Sequence, residues 1–308
     1  MSSATNAMPG AMESGGAAPV AISWGRQFYW SVLREIWENR SVYLAPLIVA
    51  GLFLAGFILN VLSVRHRTHG MWPFNPAHQH DLLASRYEIA AALIMGTVLI
   101  VGVFYSLDAL YGERRDRSIL FWKSLPVSDL TVVLAKFTIP IVVLPLVAFV
   151  ITVATQFIML VLSSVLLAGS GVDIARLWAE ASFIHVAVIV FYHLLTVHGL
   201  WYAPLYAWLF LVSAWAPRAP FMWAFLPPFV ICGVEKMAFD TSHFLSFLLY
   251  RLAGPDAGTA MTSGSHADFM SQLIPVHFFA VPALWEGVAV AAVFIAAAAR
   301  LRRYRGPI

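Results

Sequence analysis

The sequence predicts an all-α membrane protein of six transmembrane helices, with an N-terminal interfacial helix and a short cytoplasmic helix between the second and third spans. Three observations carry that prediction. First, 60% of the 308 residues are hydrophobic and only 11% are charged, whereas about a quarter are charged in soluble domains. Second, the apolar residues gather into runs of about 20 or more, the length that crosses a hydrocarbon core. Third, the basic residues between those runs fall mostly on alternate sides.

Residues 1–21 are Ala, Gly, Ser and Met with no basic residue, and they read as a disordered tail and not as a signal peptide. In residues 23–40, Trp30, Leu33 and Trp37 recur at helical spacing against Arg26, Arg34, Glu35 and Glu38, the pattern of a helix lying in the membrane surface. The spans are expected at about 42–64, 89–111, 137–167, 181–215, 221–234 and 279–299. Pro140 and Pro145 predict a kink in the third span, Gly199 and Pro204 a break in the fourth, and Pro227 and Pro228 a disturbance in the fifth. Residues 235–276 form an external sector of short apolar pieces and a Gly/Ser-rich stretch.

Six spans put both termini on one side. That side gathers Arg26, Arg34, Arg40, the basic residues of 112–136, Arg218, Arg300, Arg302, Arg303 and Arg305, while the other keeps Arg65, Arg67, Arg86, Arg176, Lys236 and Arg251. The positive-inside rule makes the first side cytoplasmic. Tryptophans such as Trp201, Trp208, Trp215 and Trp223 read as interface markers at the edges of the bilayer.

The charged segment 112–136 is the most distinctive part of the chain. Asp116 and Ser118 can cap a helix starting near Ile119, Pro126 forces a stop near Leu125, and Ser128 with Asp129 opens a new helix that runs into the membrane. About two turns remain, and Ile119, Leu120, Phe121, Trp122 and Leu125 cover most of their circumference. One reading is a turn whose arginines meet anionic headgroups. The other is a docking element for a soluble partner. Glu113 and Asp116 interrupt the basic run, and Phe121 with Trp122 offers an aromatic anchor.

Several chemistries are excluded by motif. No G-x-x-x-x-G-K-[ST] occurs, so nucleotide would have to be hydrolysed elsewhere, and the sequence holds no H-E-x-x-H or G-x-S-x-G. A single cysteine, Cys232, leaves no disulfide and no Cys-based zinc site. His66, His69, His78 and His80 share the first external loop at a spacing that fits no standard zinc pattern, so no metal, cofactor or catalytic residue is predicted. His185, His193 and His198 lie in the fourth span, not on one α-helical face, as interhelix or translocation-path polar groups. Asp108 is placed to pair with Arg114 or Arg115.

The run G-E-R-R-D-R-S-I-L-F-W-K-S-L-P-V-S with the closing A-K, within residues 108–136, resembles the first cytoplasmic loop of permease subunits of ABC-2 type transporters. The resemblance extends to L-V-S-A-W-A-P-R-A-P-F-M-W-A-F-L-P-P at 211–228, where one Arg218 stands in place of two basic residues, and it covers residues 22–308 as a single transmembrane domain. It implies a bacterial inner-membrane permease subunit, not itself an enzyme, that forms the path of an exporter as a dimer and is driven by a separate ATPase subunit. The residues facing that ATPase would be Glu113, Arg114, Arg115, Asp116, Arg117, Phe121, Trp122, Lys123, Pro126 and Ser128. Glu235 resembles an acidic position in the family's external re-entrant sector. The partners implied are the ATPase, a second permease copy and the bilayer, with no nucleic acid. The alternative is an ATPase-independent carrier or channel, coupled through groups at the bilayer midplane, with a membrane enzyme built on the histidines as a third.

Overall fold

The computed structural model describes residues 23–67, 76–124, 127–167, 178, 183–254 and 278–308. The amino-terminal tail, Leu125, Pro126 and much of the expected external sector lie outside them. Every regular element among the described residues is helical: α1 (Trp24–Glu38), α2 (Ser41–Arg67), α3 (Pro76–Asp108), α4 (Tyr111–Arg115), α5 (Ile119–Ser124), α6 (Asp129–Thr138), α7 (Leu144–Leu167), α8 (Phe183–His193), α9 (Ala203–Trp215), α10 (Pro220–Phe239), α11 (His243–Ala253) and α12 (Pro282–Tyr304). Five helices are long and apolar enough to cross a membrane, and six if the bent pair Ala187–Trp201 and Ala203–Trp215, which meet at 45°, is one span.

The core is a bundle. α9 packs along α12, α3 lies against α9, and α2 and α7 close the other side. Ile94, Val98, Leu144, Ala148, Ala207, Phe210 and Ala298 meet in its main apolar cluster. Small residues recur in that cluster, among them Ala50, Ala109, Ala148, Ala203, Ala207, Ala291 and Ala298, and in a membrane small side chains let backbones approach and gain dispersion contacts. The large apolar residues outside the core, such as Leu52, Leu59 and Phe229, point outward and fit a lipid-facing surface.

The prolines act by removing donors, and the chain answers each case differently. Residues 129–165 form one long helical run in which Ile139–Val143 widen into a π turn at Pro140. The helix that carries the third span opens at Asp129, behind its Ser128 cap, and continues through 137. A second π turn, Leu194–Trp201, leads into the bend before Pro204, and the two wide turns touch: a Cβ on Gly199 would lie 2.9 Å from the Ile141 carbonyl. Pro145, four residues beyond Ile141, has no N–H to offer that carbonyl. α10 runs through Pro227 and Pro228 without a break. Pro228 leaves the Ala224 carbonyl without its helical donor, and the Trp208 indole N–H supplies one at 3.1 Å.

Candidate functional site

α1 departs from its expected polar face at Glu35. Its aromatic residues Trp24, Tyr29, Trp30 and Trp37 are exposed, while Glu35, read from the sequence as part of the polar face, is 1% exposed. Val32 and Ile36 pack beside it on the main core. Glu35 is held by Lys136, whose Nζ lies 2.9 Å from Oε1 and 3.0 Å from Oε2. Arg34 donates to Oε1 at 2.7 Å and the Tyr105 hydroxyl to Oε2 at 3.1 Å.

Lys136 also reaches Glu113 at 3.3 Å, and Arg302 donates to the same carboxylate at 3.1 Å while pairing with Asp129. Three carboxylates (Glu35, Glu113, Asp129) thus face three cations (Arg34, Lys136, Arg302), and the more exposed Glu38 joins at the edge, 3.6 Å from Arg34. The network joins α1, α4, α6 and α12. Burial pushes the Glu35 carboxyl up, but Lys136 and Arg34 outweigh it and hold the group below its ordinary value.

The elbow is tied to α9 as well. Ser213 Oγ accepts from the backbone N–H groups of Leu110 and Tyr111 at 3.0 and 2.9 Å, satisfying two donors that the start of α4 would otherwise leave orphaned. Arg114 donates to the Ala214 and Ala216 carbonyls at 2.7 and 3.2 Å, and Arg305 to the Trp215 carbonyl at 2.7 Å, so two guanidinium groups cover the carboxyl end of α9. Ser128 caps α6 by accepting from Thr131 N–H, as the sequence predicts.

These contacts divide the expected docking residues in two. Glu113 and Arg114 are buried and bound within the chain, Glu113 to Arg302 and Lys136 and Arg114 to the end of α9, which corrects their placement at a partner-facing surface. Arg115, Asp116, Arg117, Phe121, Lys123 and Ser128 are exposed, and Pro126 lies outside the described residues. Trp122 is half-buried beneath Arg34, whose guanidinium carbon sits 3.8 Å from its ring centroid. α5 is thus pinned by Ile119, which is buried, and by Trp122, while Leu120 and Phe121 are 58% and 61% exposed. Lys123 donates to the carbonyls of Arg303 and Arg305, both at 3.2 Å, fastening α5 to the end of α12. Asp108 pairs with Arg115 at 3.7 Å on the surface, and Arg115 also holds the Asp116 carboxyl below its usual range.

Elsewhere, Glu235 is a clamp: its carboxylate accepts from Thr241 Oγ1 at 2.9 Å and from the backbone N–H groups of His243 and Phe244 at 2.7 and 2.9 Å, folding α11 back on α10. Trp201 is wholly buried and donates to the Arg251 carbonyl at 2.9 Å, so it and Trp208 are packing residues and not interface markers. The side chains of His66, His69, His78, His80 and His185 lie outside those described. His193 and His198 come together, with ring centroids 6.2 Å apart. Five residues on an α-helix are turned by about 140°, whereas the i→i+5 ladder of a π turn brings them to one face.

No protein-family model, no curated protein and no solved structure matches the chain.

Proposed function

We propose that this chain is the membrane-spanning subunit of an ATP-driven exporter, moved by a separate ATP-hydrolysing subunit that grips the elbow formed by α4 and α5. The observation that carries the reading is the pairing of an exposed aromatic tip with a rigid mount. Leu120 and Phe121 stand out from a two-turn helix, and that helix is fastened through Trp122 to α1 and through Lys123 to α12. A push on Phe121 is delivered to the ends of long apolar helices through groups that cannot rearrange without uncovering buried charge. A link whose only task was to reverse the chain would need a few polar residues and no buried ionic network.

The basic side of the chain, which includes the elbow, is the cytoplasmic side of this proposal. The translocation path lies between two copies, since five or six spans make a small bundle with a filled core. Exposed Arg115, Arg117 and Lys123 around Phe121 suit a cleft with acidic walls.

The test uses the tagged chain expressed in its native membranes. ATP hydrolysis should co-purify with the wild type and fall at least tenfold with Phe121→Asp combined with Arg115→Glu, two exposed positions at which the thermal stability of the chain should not change. Undiminished ATPase recovery with the double variant, or cargo movement by the purified chain alone in liposomes, overturns the proposal.

A further inference from the structure

We propose that His193 and His198 form a two-nitrogen site for a soft monovalent cation of the Cu(I) or Ag(I) type, buried among the spans and separate from the elbow. The site is built by the π turn Leu194–Trp201, which begins at His193 and places His198 five residues on, over the same face. Three of the four ring nitrogens of the pair, Nδ1 of His193 and both nitrogens of His198, are buried with no hydrogen-bond partner, and His198 is only 7% exposed. Buried imidazole nitrogens normally find partners; the Met95 carbonyl can serve one nitrogen of His198, which leaves a nitrogen open on each ring.

The spacing selects among the groups that could fill the gap. The centroids are 6.2 Å apart. With about 1 Å from each centroid to a ring nitrogen, the two nitrogens come no nearer than about 4 Å, beyond a direct hydrogen bond of about 2.7–3.2 Å. That nearest approach is the span of two metal–imidazole bonds of about 2.0–2.1 Å end to end. Two neutral ligands, joined among the described residues by no further His, Cys, Asp or Glu that would complete a metal cluster, favour a single positive charge, because the cost of burying an ion rises with the square of its charge. Imidazole suits copper.

The surroundings fit as well. The Tyr202 ring stands edge-on to His198 at 5.4 Å and its hydroxyl is engaged with the Leu252 carbonyl at 2.9 Å, so it fixes the imidazole without competing for it. The Met95 carbonyl lies beside His198, where it can take the proton of the nitrogen that does not bind the ion, as backbone carbonyls do for metal-ligating histidines. A π turn weakens the helix that carries it, and such turns occur most at functional sites.

The experiment loads the purified full-length chain with Ag(I), removes weakly held ion with a competing chelator, and counts the metal retained per chain. His198→Gln and, separately, His193→Leu should each retain one silver ion fewer than the wild type. X-ray absorption on the loaded wild type should show nitrogen neighbours at about 2 Å. Retention by both variants equal to that of the wild type, or no nitrogen neighbours on the wild-type ion, overturns the proposal and leaves a bridging water as the occupant. Loss of Zn(II) in the same proportion overturns the selection for a single charge. None of these results depends on the ATPase reading, which rests on the elbow alone.

Discussion

Replacing Lys136 with methionine is the sharpest probe of the buried network. Lys136 Nζ is 2.9 Å from Glu35 and 3.3 Å from Glu113, and its side chain is 6% exposed. At an effective dielectric near 20, unit charges at those separations attract by about 5–6 kcal/mol each. Taking the ammonium out of water returns several kcal/mol. The net cost of Lys136→Met is therefore about 3–5 kcal/mol, the range found when one partner of a buried pair is removed. At about 2 °C per kcal/mol for a chain of this size, the Tm should fall by about 6–10 °C. Adding Glu113→Gln restores the wild-type net charge of the network, because one carboxylate is removed with the one cation. The double variant should recover about 1–3 kcal/mol, roughly 2–6 °C. The assay is thermal unfolding of detergent-purified protein by intrinsic fluorescence. A single variant within about 1 °C of wild type would mean that water already reaches these groups. A double variant no better than the single would mean that the charges are not coupled. Either result refutes the account of the elbow as a locked mount.

Two further outcomes follow from the same geometry. The Glu35 carboxyl binds its proton less readily in the folded protein than at its ordinary value of 4.5, so its contribution is complete above that pH and drains away as pH falls through the lower folded value; a Tm–pH profile should fall on the acid side, and less steeply in Lys136→Met. Gly287→Ala would put a Cβ 1.6 Å from Arg251 Nη2 and evict a guanidinium that sits 4.3 Å over Trp201 and donates to the Ala283 carbonyl at 2.9 Å. The cost should be about 1–3 kcal/mol in the wild type and near zero in an Arg251→Ala background, and equal losses in the two backgrounds, measured by thermal unfolding, would count against that packing.

Composition and the apolar runs determine the class of this protein, since an apolar stretch of about 20 residues is a local property. The short helix at Ile119–Ser124 and the Ser128 cap are legible for the same reason: stop, cap and turn signals act over a few neighbouring residues. Inward and outward faces were not legible in this way. Glu35 and Glu113 are acidic residues in charged segments, and only the meeting of α1, α4, α6 and α12 supplies the Lys136 and Arg302 partners that make their burial tolerable. The histidine pair escaped the sequence because a constant 100° per residue separates positions 193 and 198, and two prolines and a glycine in contacting helices signal irregularity without saying that the result is a π turn. Trp208 shows the same division: its amphipathic side chain suits a membrane interface, yet its N–H meets the Ala224 carbonyl that Pro228 leaves open. Where a residue's surroundings lie within a few positions of it the sequence is sufficient, and where its partner is a hundred residues away only the packing of helices decides whether a charge faces water, lipid or its opposite.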